Sequence, residues 1–230
     1  SDEFDGSAID DKNWTHEVNC WGGGNDEKQC YTESAENSFV SDGTLKLVAL
    51  PAEEGAELPY TSARIISKNK ADFKYGRFEA RMKLPRVQGI WPAFWMLGDN
   101  FLTQGWPQGG EIDIMEHVND NNITTGALHG PGYSGNTPVN GHLIHQNSID
   151  QDYHIYAIDW DANGITWFVD NTEFYRVTKA EVEQFGEYVY DAPFWFLLNL
   201  AVGGNWPGDP DHNNFPATKM YVDYIRVYQD

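Results

Sequence analysis

The stretch Gly110-Glu-Ile-Asp-Ile-Met-Glu-His117 places three carboxylates, Glu111, Asp113 and Glu116, within six residues and separates them with apolar side chains. In a β-strand successive side chains point to opposite faces, so Glu111 and Asp113 share one face while Ile112 and Ile114 share the other. Strict alternation would then put Glu116 in the core, where a lone carboxylate is costly unless it becomes neutral. One extra residue at Ile114–Met115, a β-bulge, returns Glu116 to the acidic face. Acids held this closely cannot all ionise cheaply, and at least one pKa must rise. An ionised carboxylate beside a protonated one supplies a nucleophile and a proton donor, the pair that cleavage of a glycosidic bond requires. A solvated acidic strand is the plainer alternative, but it would carry polar residues at both ends and weaker apolar alternation.

The elements that must position these acids are strands. Thr44–Leu50 reads as the first clear one, stopped by Pro51. In Gly76–Leu84, Phe78, Ala80, Met82 and Leu84 alternate inward against Arg77, Glu79, Arg81 and Lys83. In Ile90–Leu97, Trp91, Ala93 and Trp95 share one face and Phe94 and Met96 the other. Thr124–His129 and Tyr153–Trp160 are expected to extend the sheet that carries the acids. Asp161-Ala-Asn-Gly164 is a hairpin turn into Ile165–Val169. Thr178-Lys-Ala-Glu181 is a capping box that opens the one credible helix. Phe194–Leu200 and Tyr221–Tyr228 complete the strands, with Asn199 sharing parity with Trp195 and Leu197. Many short strands and almost no helix predict a two-sheet β-sandwich in a single domain, residues 1–230.

Composition narrows the partners. The 230 residues carry 35 acidic against 15 basic side chains, a net charge of −20. Such a field repels nucleic acid and anionic membranes and is indifferent to a neutral polysaccharide. No apolar run reaches the ~18–20 residues of a membrane span. The acidic opening, Ser1-Asp-Glu-Phe4, has no leader character and is read as a mature or trimmed start. Cys20 and Cys30 lack the histidine spacing of a zinc site. A disulfide across the Gly-rich loop between them is expected, worth ~2–3 kcal/mol and implying an oxidising, extracellular setting; two free thiols are the alternative. His142 and His145, three apart with no third ligand at a fitting spacing, read as part of a solvated loop.

The acidic motif, preceded by Gly89-Ile-Trp-Pro-Ala-Phe-Trp-Met-Leu97 and followed by Asn199-Leu-Ala-Val-Gly-Gly-Asn-Trp-Pro-Gly208, resembles the catalytic domain of family 16 glycoside hydrolases, most closely the endo-1,3-β-glucanase (laminarinase) branch. The resemblance spans Asp2 to Tyr228. It implies a jelly roll whose concave sheet carries the cleft, with Glu111 as nucleophile, Glu116 as general acid/base and Asp113 assisting between them. It implies that Trp91, Trp95 and Trp106 line the subsites on the non-reducing side, with a weaker case for Trp206. Asn37, Arg64 and Asn199 are expected to hydrogen-bond sugar, and His129 to stand on the leaving-group side. His117 is read as structural. For Glu79 and Arg81 a solvated ion pair competes with a sugar contact.

The same resemblance implies a structural calcium ion away from catalysis, held by Glu3, Gly43 and Asp223, whose oxygen donors suit a hard cation. No cofactor is expected for catalysis, and a monomer is expected. Alternatives within the family are a broader β-1,3(4)-glucanase or a galactan hydrolase. Outside enzymes, a glucan-binding lectin on the same fold is the competitor, but such proteins lack the catalytic glutamates that are present here.

Overall fold

A computed structural model describes residues 1–229. In chain order its elements are β1 (Thr15–His16), β2 (Gln29–Tyr31), β3 (Ser38–Ser41), β4 (Thr44–Pro51), β5 (Tyr60–Ser62), β6 (Arg64–Ile66), β7 (Asp72–Phe73), β8 (Gly76–Lys83) and β9 (Ile90–Gly98). A single helical turn, α1 (Phe101–Gln104), leads to β10 (Glu111–Glu116), β11 (Ile123–His129) and β12 (Val139–Ile144). β13 (His154–Asp161), β14 (Gly164–Val169), β15 (Thr172–Thr178), α2 (Lys179–Val182), β16 (Phe194–Val202) and β17 (Thr218–Tyr228) follow.

The strands form two packed sheets, a jelly roll. The concave sheet has the order β1-β6-β16-β9-β10-β11-β12, with β7 also on β16. The convex sheet runs β15-β14-β13-β8-β17-β4-β5-β2, with β3 on β4. β13, expected beside the acidic strand, pairs with β8 and β14 instead and belongs to the convex sheet. The capping box closes as read, Thr178 and Glu181 each accepting from the other's backbone N–H, but the helix it opens is one turn long.

The core lies between the sheets and is built from alternation. Phe78, Ala80 and Met82 of β8 are wholly buried, as are Phe94 and Met96 of β9 and Leu198 and Leu200 of β16. Each fully buried large apolar side chain contributes roughly 1.5–3 kcal/mol by removal from water. A second, smaller apolar cluster, Ile66, Leu97, Trp195 and Leu197, lies on the opposite face of the concave sheet. β16 is therefore buried along its whole length. The central strands thus have little freedom to shift register, and that rigidity is what holds the acids in place.

Candidate active site

β10 carries the acids between β9 and β11. Its register with β9 runs Glu111↔Leu97, Ile112↔Met96 and Asp113↔Trp95, then slips so that Met115 faces Phe94 and Glu116 faces Ala93. The slip is the bulge at Ile114–Met115. Ile112, Ile114 and Met115 all point into the core, while Glu111, Asp113 and Glu116 share the cleft face. An inter-sheet bond secures this irregular backbone: the indole Nε1 of Trp167, in β14, donates to the Asp113 carbonyl at 2.8 Å. Gly126 makes room for that indole, since a Cβ there would come within 2.3 Å of Trp167 Cδ1. Sequence reasoning passed over Trp167. The one available signal was a glycine inside the otherwise regular Thr-Thr-Gly-Ala-Leu run of β11.

Two indoles hold the outer acids. Trp106 Nε1 donates to Glu111 Oε2 at 3.1 Å, and Trp91 Nε1 donates to Glu116 Oε1 at 3.0 Å. His129, opposite Glu111 in the register, accepts the Gly135 backbone N–H at Nδ1, which leaves Nε2 to carry the proton of a neutral ring. That Nε2 lies 3.3 Å from Asp113 Oδ2 and 3.7 Å from Glu111 Oε1. No arginine or lysine pairs with the cluster among the described residues. Burial pushes all three carboxyls up to about 8, and the Asp113 charge adds to the rise for Glu111 and Glu116. The three share protons, so their titrations belong to the cluster and not to single residues.

The expected sugar-binding residues divide. From β10 the face continues across β9 and β16 to β6, through the partners Trp95, Leu197 and Ile66 and, one row along, Ala93, Asn199 and Arg64. Trp95 Nε1 donates to Asn199 Oδ1 at 2.7 Å. Arg64 stacks over Tyr31 and Trp95, with ring centres 4.5 and 5.4 Å away, and pairs with Glu17. Its Nε is buried without a partner. Asn37 requires correction. Its amide donates to the Val48 carbonyl and Thr61 Oγ1, and its oxygen accepts from Thr32 Oγ1, so this buried side chain ties together the backbone behind β4. Glu79 and Arg81 lie on the convex sheet, paired with Arg77 and Asp223, far from the acids in the topology. His117 is structural: both ring nitrogens meet carbonyls, those of Ile123 and Asn119. The presumed loop at His142 is strand β12, and His142 lies opposite Thr125.

Glu3, Gly43 and Asp223 come to one region of the convex sheet, since Asp2 bridges to Ile225 and Leu45 pairs with Val222. Their oxygen donors fit a hard cation in type. Both carboxylates are engaged, however: Glu3 by Arg226 through two bonds of 3.0 and 2.8 Å, and Asp223 by Arg81 at 2.6 Å. Cys20 and Cys30 form a disulfide.

A jelly roll with a carboxylate cluster on a bulged central strand, flanked by indoles, defines a glycoside hydrolase. The chain belongs to family 16 of the glycosyl hydrolases, whose profile matches residues 2–226. It is 41% identical to a beta-glucanase of Rhodothermus marinus, covering all of this chain and 84% of that protein. It is 36% identical to glucan endo-1,3-beta-glucosidase A1 of Niallia circulans, but spans only 37% of that protein's length. The laminarinase catalytic domain of Thermotoga maritima superposes with a TM-score of 0.94 at 42% identity, covering 99% of this chain and 96% of the other.

Proposed function

We propose that this protein is a retaining endo-hydrolase of 1,3-β-D-glucosidic linkages in glucans such as laminarin. The observation that carries the reading is the bulge, which puts Glu111 and Glu116 on one face with Asp113 between them. Ionised Glu111 attacks the anomeric carbon while Glu116 protonates the departing oxygen. Water, deprotonated by Glu116, then releases the glycosyl group from Glu111. Asp113, with the His129 Nε2–H beside it, holds the shared proton next to the nucleophile and sets the order in which the acids ionise. Trp91, Trp95, Trp106, Arg64 and Asn199 supply flat apolar rings and hydrogen-bonding groups for neutral sugar on the non-reducing side.

Stereochemistry tests the assignment. Retaining enzymes hold their carboxyls ~5–5.5 Å apart, whereas inverting ones leave ~6.5–9.5 Å for water. Glu111 and Glu116 behave as positions four apart once the bulge is counted, ~13 Å along a straight strand. Retention requires the bulge and the inward reach of both long side chains over Asp113 to close that separation to the retaining range. Anomeric proton NMR in the first minutes of laminarin digestion is expected to show the β-anomer first. Initial α-anomer would overturn the roles of both glutamates.

The same proposal includes secretion, to which the disulfide is suited, and a monomeric state. It also includes a calcium ion at Glu3, Gly43 and Asp223 that stabilises the fold, competes there with Arg226 and Arg81, and takes no part in the chemistry.

A further inference from the structure

The convex sheet turns Trp160, Ile165 and Val177 into the core, so their chain neighbours Asp159, Thr166 and Arg176 point outward, away from the catalytic sheet. Register joins these outward residues into one row, Tyr228–Arg77–Asp159–Thr166–Arg176, from β17 across β8, β13 and β14 to β15. Strands lie ~4.8 Å apart, so the row runs roughly 19 Å across the sheet. A cavity of about 570 Å³ follows it, bounded also by Asp161 and Asn163 of the β13–β14 turn.

We propose that this cavity is a second, non-catalytic binding site for a neutral polysaccharide chain. Its occupant is a 1,3-β-glucan, an identification that rests on the glucanase reading above. Charge selects the ligand class. Arg77 and Arg176 are matched by Asp159 and Asp161, so the lining carries no net charge and favours neither an anion nor a cation. Side-chain chemistry narrows it further. Tyr228 presents a ring that is 49% exposed, a flat apolar surface that a sugar ring can cover. Planar groups with bonding capacity left over stand beside it. Asp159 accepts from Arg77 through Oδ1, Asp161 receives the Asn163 and Gly164 N–H groups on Oδ1, and Arg176 donates to Glu173 through Nε and Nη2. The second oxygen of each aspartate and Nη1 of Arg176 remain for sugar hydroxyls.

The row is held in shape before any ligand arrives. Arg77 lies over the Phe168 ring at 5.3 Å and donates to Glu79 and Asp159, each at 3.1 Å. Glu79 in turn accepts the Tyr228 hydroxyl at 3.2 Å, which fixes the exposed ring beside Arg77. Side chains already fixed keep the ordering cost of binding low. The site backs onto the sandwich from the side opposite Glu111 and Glu116, so it cannot position the scissile bond. It would instead retain the protein on a mass of polymer while the cleft works on a neighbouring chain, raising the effective concentration of substrate.

The test uses Glu111→Ser protein, which leaves its ligand intact, titrated with laminarihexaose by calorimetry. Two sites per chain are expected. Tyr228→Ala and Arg176→Ala, each added to that background, should weaken the second site about 10-fold, the worth of one lost contact, and leave the cleft within about twofold. The Arg176 side chain is 62% exposed and that of Tyr228 half-exposed, so neither removal disturbs the core. In otherwise wild-type protein the same substitutions should slow sugar release from insoluble 1,3-β-glucan by about 3–10-fold and leave laminarihexaose hydrolysis within about twofold. A single binding site in the parent, or a second site unaltered in both variants, would overturn the assignment. So would equal losses on the soluble and insoluble substrates. Wild-type protein that cleaves neither substrate would instead remove the glucanase reading, a failure visible without any convex-face substitution.

Discussion

Two groups of acids in this molecule show what a carboxylate is for. On β17 and at the N-terminus, Asp223 and Glu3 each face a guanidinium, and Arg226 holds the Glu3 carboxyl below its usual range. On β10, Glu111 and Glu116 receive only indole N–H groups, His129 Nε2 lies 3.3 Å from Asp113, and burial drives all three acids upward. Residue type is the same in both places. A full positive charge beside Glu3 favours its anion, which serves structure. Weak neutral donors in a buried site leave the proton free to move near neutral pH, which serves catalysis.

The contrast breaks most visibly at the nucleophile. Glu111→Ser should lower kcat on laminarin by at least about 10³-fold, because a covalent step has lost its acceptor. Oligosaccharide affinity, measured by calorimetry, should persist because the aromatic and polar contacts remain. Near wild-type turnover would remove Glu111 from the mechanism.

Asp113→Asn tests whether the raised pKa values come from crowding. The nucleophile must lose a proton and the acid must keep one, so activity rises through the first pKa and falls through the second. Removing the Asp113 charge lowers both neighbours, and the kcat/KM profile should move to lower pH, with a loss of about 10–100-fold at its maximum. Stability should respond as well. The folded cluster binds more protons than the unfolded chain between about pH 4 and about pH 8, so wild-type stability falls as pH rises through that window. The variant's melting temperature relative to wild type should therefore be higher at pH 9 than at pH 5. A pH profile that does not move would show that burial alone sets these values.

At the structural acids the effect is small and of opposite sign. Glu3 has a lowered pKa, so its pairing contributes above the ordinary carboxylate range and is lost as pH falls below it. Arg226→Gln should lower the melting temperature by about 1–2 °C at pH 7, nothing at pH 3, and leave turnover intact. A change in kcat would mean that the two acid groups are coupled. Excess chelator probes the proposed calcium ion at the same place. A lower melting temperature with an unchanged room-temperature rate is expected from binding to the folded state alone, and a melting curve that does not move would remove the ion.

The sequence by itself determined a good deal of this. The conflict between Glu116 and strict alternation in Glu-Ile-Asp-Ile-Met-Glu predicted the bulge, because side-chain parity on a strand is a local property. Parity likewise sorted Trp91 and Trp95 from Phe94 and Met96, and the Thr178-Lys-Ala-Glu181 motif marked the capping box. Partners across sheets and loops were illegible, because they depend on which strands meet. Asn37 has the chemistry of a sugar ligand, and only the packing of β4 and β5 against it commits its amide inside. β13 could have extended the acidic sheet, yet pairing with β8 placed it in the other one. Trp167 could not be seen reaching the Asp113 carbonyl from the opposite sheet, nor His142 facing Trp206 across a cavity. Spacing along the chain decides which side chains share a face. Which distant faces close over them, and hence which acids keep a mobile proton, is decided only when the two sheets pack and exclude water.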